Sequence, residues 1–98
     1  MSTKDLLILA MEECSEVIQA LSKSIRFGSK SHHPNRKDTT NADRVMTEYY
    51  ELSAIIEKLQ DKGELPRFSN DKIKYIKKDK IQRANKWNDA VKNKNRGR

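Results

Sequence analysis

From Leu6 to Ile25 the apolar residues fall at Leu6, Leu7, Ala10, Cys14, Val17, Ile18, Leu21 and Ile25. Steps of three and four recur throughout, which is the period of an amphipathic helix. Ser2 or Thr3 can cap its start, and Gly28 marks its stop. The same period returns at Val45, Tyr49, Leu52, Ile56 and Leu59, where Asn41 or Asp43 offers a cap and Gly63 a stop after about Lys62. It returns again, less regularly, at Ile73, Ile76, Ala84, Trp87 and Val91, behind a cap at Ser69. The reading predicts helices over 3–27, 41–62 and 70–91. Residues 28–41 are polar, basic and without periodicity, so they read as a loop, either a solvated connector or a lid facing phosphate. The expected fold class is all-α, a helical bundle of about three helices.

The composition limits how much of that bundle one chain can fill. Of 98 residues, 35% are hydrophobic and 36% charged. A small domain buries a small share of its surface, so the core should be thin and oligomerisation should complete it. The expected organisation is one domain over 1–91 and a basic, flexible tail over 92–98. No run approaches the roughly 18 apolar residues of a membrane span. The stretch Leu6 to Met11 ends in acids rather than small residues, unlike a signal peptide. Cys14 is the sole cysteine and falls on the apolar side of its helix, so a buried, inert thiol is expected. These features favour a cytoplasmic protein with no membrane partner.

Charge is distributed unevenly. Residues 1–71 carry 10 Lys/Arg and 12 Asp/Glu, whereas residues 72–98 carry 11 and 2. Within the acidic part, Glu12, Glu13 and Glu16 stand in one five-residue stretch with no basic neighbour. At helical spacing their like charges repel and cost stability. Glu48 and Glu51 repeat the pattern on the second helix, on the same side of its apolar stripe. Two such helices packed antiparallel could bring four carboxylates together. Clustered carboxylates suit a hard divalent cation, Mg²⁺ or Mn²⁺. Bundles build metal sites in this way, from side chains on facing helices. A glycosidase reading of the paired carboxylates is poor, because so small a helical chain offers no sugar cleft or aromatic platform.

The run Glu12-Glu13-Cys14-Ser15-Glu16, followed by Glu48-Tyr49-Tyr50-Glu51, resembles the MazG-like branch of the all-α nucleoside triphosphate pyrophosphohydrolases. That family carries Glu-Glu-x-x-Glu on one helix and Glu-x-x-Asp on the next. Arg26-Phe27-Gly28, Pro34, Thr40-Asn41 and the stretch Glu51 to Leu59 extend the likeness over residues 5–62. The resemblance implies that Glu13, Glu16, Glu48 and Glu51 ligate Mg²⁺, with Mn²⁺ as a substitute. Glu12 would be an accessory ligand or orient the attacking water. The implied reaction cleaves a nucleoside triphosphate to the monophosphate and pyrophosphate, in a homodimer or homotetramer. Position 51 departs from the motif: it is Glu rather than Asp, and its carboxylate reaches about one methylene further.

A polyanionic substrate also needs cations beyond the metal. Arg26, Lys30, Arg36, Lys37 and Arg44 are candidates; Arg26, Lys30 and Arg44 are carried forward, and Arg26 is the best of them, because it follows the carboxylates on the same helix. His32 and His33 lack the second pair that a zinc site requires. Asn41 is expected to cap, Tyr49 to lie in the core, Tyr50 to face outward, and Trp87 to anchor the third helix. The basic residues after position 71 support an alternative reading, a helical module that binds nucleic acid or a partner without catalysis.

Overall fold

The structure, a computed structural model, describes residues 1–96. Three helices account for the regular structure, α1 (Thr3–Phe27), α2 (Asn41–Asp61) and α3 (Asn70–Arg96), and no strand occurs among the described residues. The protein is all-α, and it divides into two compact units, Met1–Pro66 and Arg67–Arg98.

In the first unit α1 and α2 pack on one another. They run antiparallel: the Lys62 ammonium, just past α2, donates to the Met1 carbonyl at 3.1 Å. Each helix opens with a reciprocal cap. The Ser2 hydroxyl accepts from the Asp5 N–H at 3.0 Å, and the Asp5 carboxylate accepts from the Ser2 N–H at 3.1 Å. At α2 the cap is Thr40, not Asn41 or Asp43. Its hydroxyl accepts from the Asp43 N–H at 3.1 Å, and Asp43 returns the bond to the Thr40 N–H at 3.0 Å. This box satisfies two donors at once, which neither expected cap could do alone. It also releases the Asn41 amide to donate across the loop to the Gly28 carbonyl at 2.9 Å. Gly28 has φ of +92°, a region that only glycine enters cheaply, and its N–H donates to the Ser24 carbonyl at 3.0 Å.

The core is thin, as the composition predicts: Leu6 and Leu59 are fully buried, and Ala10 and Ala20 are buried further along α1. The buried line on α1 is only part of the stripe that the sequence suggested: Leu6 and Ala10 are buried and Val17 half-buried. Leu7, Ile18, Leu21 and Ile25 are exposed, Ile18 at 66% and Ile25 at 86%. Cys14 is exposed too, against expectation. Projected at about 100° per residue, Leu6, Ala10, Val17 and Ala20 form one line, and Leu7, Met11, Cys14, Ile18, Leu21 and Ile25 form a second about 100° further round. One neighbouring helix can cover only one of these lines, and α2 covers the first. Tyr49 leaves the expected core for the same reason, and is 48% exposed. Tyr50 faces outward, as expected, and its ring meets that of Tyr49 edge-on with centroids 5.1 Å apart.

The second unit contains α3, opened by the Ser69 hydroxyl, which accepts from the Lys72 N–H at 3.2 Å. The helix continues five residues past the expected end at Val91, to Arg96. Positions 97 and 98 of the expected flexible tail lie outside the described residues. Trp87, expected to be a packing anchor, is 70% exposed. No helix among the described residues is long and apolar enough to cross a membrane.

Candidate metal centre and adjoining cavity

Three of the acids converge. Glu13 of α1 and Glu48 and Glu51 of α2 each offer a carboxylate oxygen, and these oxygens lie within 4.8 Å of one another. The pattern around each acid explains why. Glu13 stands one turn after Ala10 and one turn before Val17, on the line that α2 covers. Glu48 stands one turn after Val45 and one turn before Leu52. Apolar packing on either side therefore carries both carboxylates into the helix seam, where Glu48 is only 5% exposed. Glu51, one turn further, is exposed at its edge. Its longer side chain, relative to the Asp of the resembled motif, still reaches the group.

The electrostatics are unfavourable for acids alone. Burial pushes the Glu48 carboxyl above its ordinary value of 4.5, and the neighbouring Glu51 adds to this through a shared hydrogen bond and its charge. Arg44 opposes the shift. Its guanidinium pairs with Glu48 at 3.0 Å across one helical turn. Glu13 Oε2 is buried without a hydrogen-bond partner. A buried carboxylate oxygen left unpaired is costly and rare in a folded protein. An all-oxygen donor set with one orphaned atom fits a hard divalent cation, and suits Mg²⁺ and Mn²⁺ alike. The three glutamates could therefore hold such an ion.

The remaining expected ligands stand outside this group. Glu16 is half-buried on the same side of α1, and Glu12 is exposed, its carbonyl accepting from the Ser15 hydroxyl at 2.7 Å.

At the loop end of the helix pair lies a cavity of about 870 Å³, within the usual range for small-molecule sites. Its wall includes Lys23 and Phe27 from the end of α1, His33 and Arg36 from the loop, and Asn41 and Arg44 from the start of α2. No carboxylate lines it. The loop is held by backbone bonds rather than left as a slack connector. The Asn41 N–H donates to Ser31 at 2.8 Å and the Ala42 N–H to Ser29 at 2.9 Å, which also satisfies two donors at the start of α2. His33 contributes to the wall as a hydrogen-bonding group, its Nδ1 accepting from the Asn35 N–H at 3.1 Å.

Of the three cations expected to meet substrate, Arg44 lines this cavity and Arg26 and Lys30 do not. Arg26 instead lies over the Phe27 ring, 5.0 Å from its centroid. Lys23 was missed, although the sequence carries its signal. It follows Glu16 by seven residues, two helical turns, and so shares the acid side of α1. Phe27, which the sequence marks as the helix end and as part of the Arg26-Phe27-Gly28 likeness, stands one turn after Lys23 and lines the cavity on that same side. No family model, curated protein or solved structure matches the chain.

Proposed function

We propose that the protein is a divalent-cation-dependent nucleoside triphosphate pyrophosphohydrolase of the MazG-like kind. The observation that carries this reading is the convergence of Glu13, Glu48 and Glu51 from two helices beside a cavity lined by Lys23, Arg36 and Arg44. Negative charge is gathered where a cation would sit, and positive charge where a phosphate chain would sit. Arg44 belongs to both groups.

When bound, a divalent ion supplies Lewis acidity and lowers the pKa of a coordinated water. Glu13, Glu48 and Glu51 would hold it, with Glu16 as a fourth ligand. Glu12 would orient the attacking water toward the α-phosphorus. Lys23, Arg36 and Arg44 would balance the charge of the phosphates, and Phe27 offers an apolar face for the nucleoside. The cavity has room for such a ligand. Arg26 and Lys30 keep only an outer role, steering the anion toward the site. The substrate would be a triphosphate of the cytoplasmic nucleotide pool. The test is pyrophosphate release from a panel of ribo- and deoxyribonucleoside triphosphates with Mg²⁺ or Mn²⁺. Release abolished by Glu48→Gln supports the reading. No release from any nucleotide, with no rise in melting temperature on adding either ion, refutes it.

We also propose that the assembly is at least a homodimer. Leu7, Met11, Cys14, Ile18, Leu21 and Ile25 repeat in steps of four and three, the seam spacing of paired helices. With Met46 and Tyr49 of α2 they leave exposed surface on the order of the 800 Å² that each partner gives to a standard interface. The flanking Ala10, Ser15, Val17, Ser22 and Ser24 carry no charge, so a second copy meets no repulsion there. In the helical projection this seam lies on the opposite side of the helix pair from Glu16 and Glu51. Pairing would complete a four-helix core and leave both acid faces open.

A second reading concerns α3. Trp87, Lys80, Arg83 and Ala84 line a shallow hollow on a helix rich in lysine. An exposed indole one turn from Arg83, which pairs with Asp79 at 2.8 Å, and two turns from Lys80 suits stacked bases and phosphates, which favours nucleic-acid binding by this segment. Charge reversal at Lys77, Lys78 and Lys80 would abolish salt-sensitive retention of an oligonucleotide; unchanged retention would exclude the segment.

A further inference from the structure

Arg44 serves two sites that want opposite things from it. Its guanidinium pairs with Glu48 at 3.0 Å, and it also forms part of the cavity wall with Lys23 and Arg36. Glu48 is almost fully buried and lies beside Glu51, so its carboxylate needs a counter-charge. Arg44 supplies it. The Arg44 side chain is itself 37% exposed, so it can swing about its own stem with no movement of α2.

We propose that Arg44 is a positioning residue transferred between the two sites: a divalent cation takes its place on Glu48, and a phosphate group in the cavity receives it. This inference rests on the reading of the acid cluster as a cation site. A doubly charged ion held by Glu13, Glu48 and Glu51 neutralises the carboxylates and repels the guanidinium. Displaced into the cavity, Arg44 joins Lys23 and Arg36, and no carboxylate there balances the three. An anion does. Each ligand therefore prepares the protein for the other. By linkage, the factor by which the cation tightens the anion equals the factor by which the anion tightens the cation. The order follows from the charges: an anion arriving first must pull Arg44 from a buried partner, whereas a cation arriving first releases it.

The sign of the effect of one substitution tests this. Mn²⁺ alone is titrated into the full chain and followed by the resonance of free Mn²⁺. Inorganic sulfate, a weak chelator, is titrated by calorimetry with and without saturating Mn²⁺. In the unmodified protein Mn²⁺ should tighten sulfate by fivefold or more. Arg44→Gln should bind Mn²⁺ alone several-fold more tightly, because the competing cation is gone. It should bind sulfate more weakly, and the coupling should fall below twofold. Arg44→Lys, which keeps the charge, should restore part of the coupling. Lys23→Gln should weaken sulfate and leave Mn²⁺ alone unchanged. If Arg44→Gln weakens both ligands, or retains the coupling, Arg44 is a structural brace and the proposal fails. If Mn²⁺ does not bind the unmodified protein at all, the cation site itself fails, and this inference with it. The Arg44→Lys titration decides the matter should Arg44→Gln not fold.

Discussion

Glu13→Gln should stabilise the metal-free protein while removing its response to divalent cations. The substitution keeps the shape of the side chain and deletes its charge. Glu13 Oε2 is buried and makes no hydrogen bond, and one oxygen of the Glu13 carboxylate lies within 4.8 Å of those of Glu48 and Glu51. At that separation, two full charges in an effective dielectric of about 20 repel by about 3 kcal/mol. The Arg44 guanidinium paired with Glu48 cancels part of this, so a net gain of about 1–3 kcal/mol is expected. For a domain of this size each kcal/mol moves the melting temperature by roughly 4–8 °C. Thermal melts with chelator should therefore show Glu13→Gln melting higher than the unmodified chain. With Mg²⁺ at about 100 times its dissociation constant, the unmodified chain should gain about 2.7 kcal/mol and the variant far less. Pyrophosphate release should fall by about 10²-fold or more, the scale of losing one preorganised electrostatic contact. A variant destabilised by more than about 1 kcal/mol in chelator, yet still stabilised by Mg²⁺, would refute this reasoning. It would mean that Glu13 is a structural acid whose partner is a protein group.

Other expectations follow from particular contacts. Because the Glu48 carboxyl is held above 4.5, the folded chain binds a proton there that the unfolded chain has released. Its stability is fully present below 4.5 and is lost as pH rises through the folded value. Metal-free protein should thus melt higher near pH 5 than at about pH 8, with the difference reduced in Glu48→Gln, and Mg²⁺ should reverse the trend. Asp5 and Asp43 are shifted the other way, chiefly by hydrogen bonds from the backbone of their capping partners. Their contribution holds above about 3.8 and fades only as pH falls below it. Ile18→Glu should convert a dimer to a monomer of 11.4 kDa in sedimentation and make melting independent of concentration. Retained dimers would remove the α1 seam from the interface. Thr40→Ala should cost about 1 kcal/mol in chemical denaturation, the usual loss of an N-cap, and an unchanged midpoint would show the box to be idle.

The helices were legible because their period is local: a residue at i+3 or i+4 shares a face whatever the helix packs against. The face chosen for packing was less legible. Two apolar lines run along α1, and both satisfy the same spacing, so Cys14 and Leu21 read as core until α2 is seen to cover Leu6, Ala10 and Ala20 instead. A partner was anticipated from composition, but which line it would cover is a tertiary fact. The acids illustrate the same distinction. Their shared angular position brought Glu13 together with Glu48 and Glu51, whereas Glu16, on the same helix, stands aside because contact depends on depth as well as angle. The cations were harder, since Lys23 and Arg36 meet only through a loop that has no period. The cap of α2 was misread because Asp43 and Asn41 can each cap, and only the reciprocal bond with Thr40 selects between the alternatives.

If Glu13, Glu48 and Glu51 hold a cation as proposed, that cation serves cleavage between the α- and β-phosphates. The most direct measurement is phosphorus NMR of the products after a nucleoside triphosphate is incubated with the protein and Mg²⁺. The unmodified chain should give the monophosphate and pyrophosphate, and Glu13→Gln folded to the same helical content should leave the triphosphate unconverted. Diphosphate with orthophosphate, or equal turnover by the variant, would contradict the proposal.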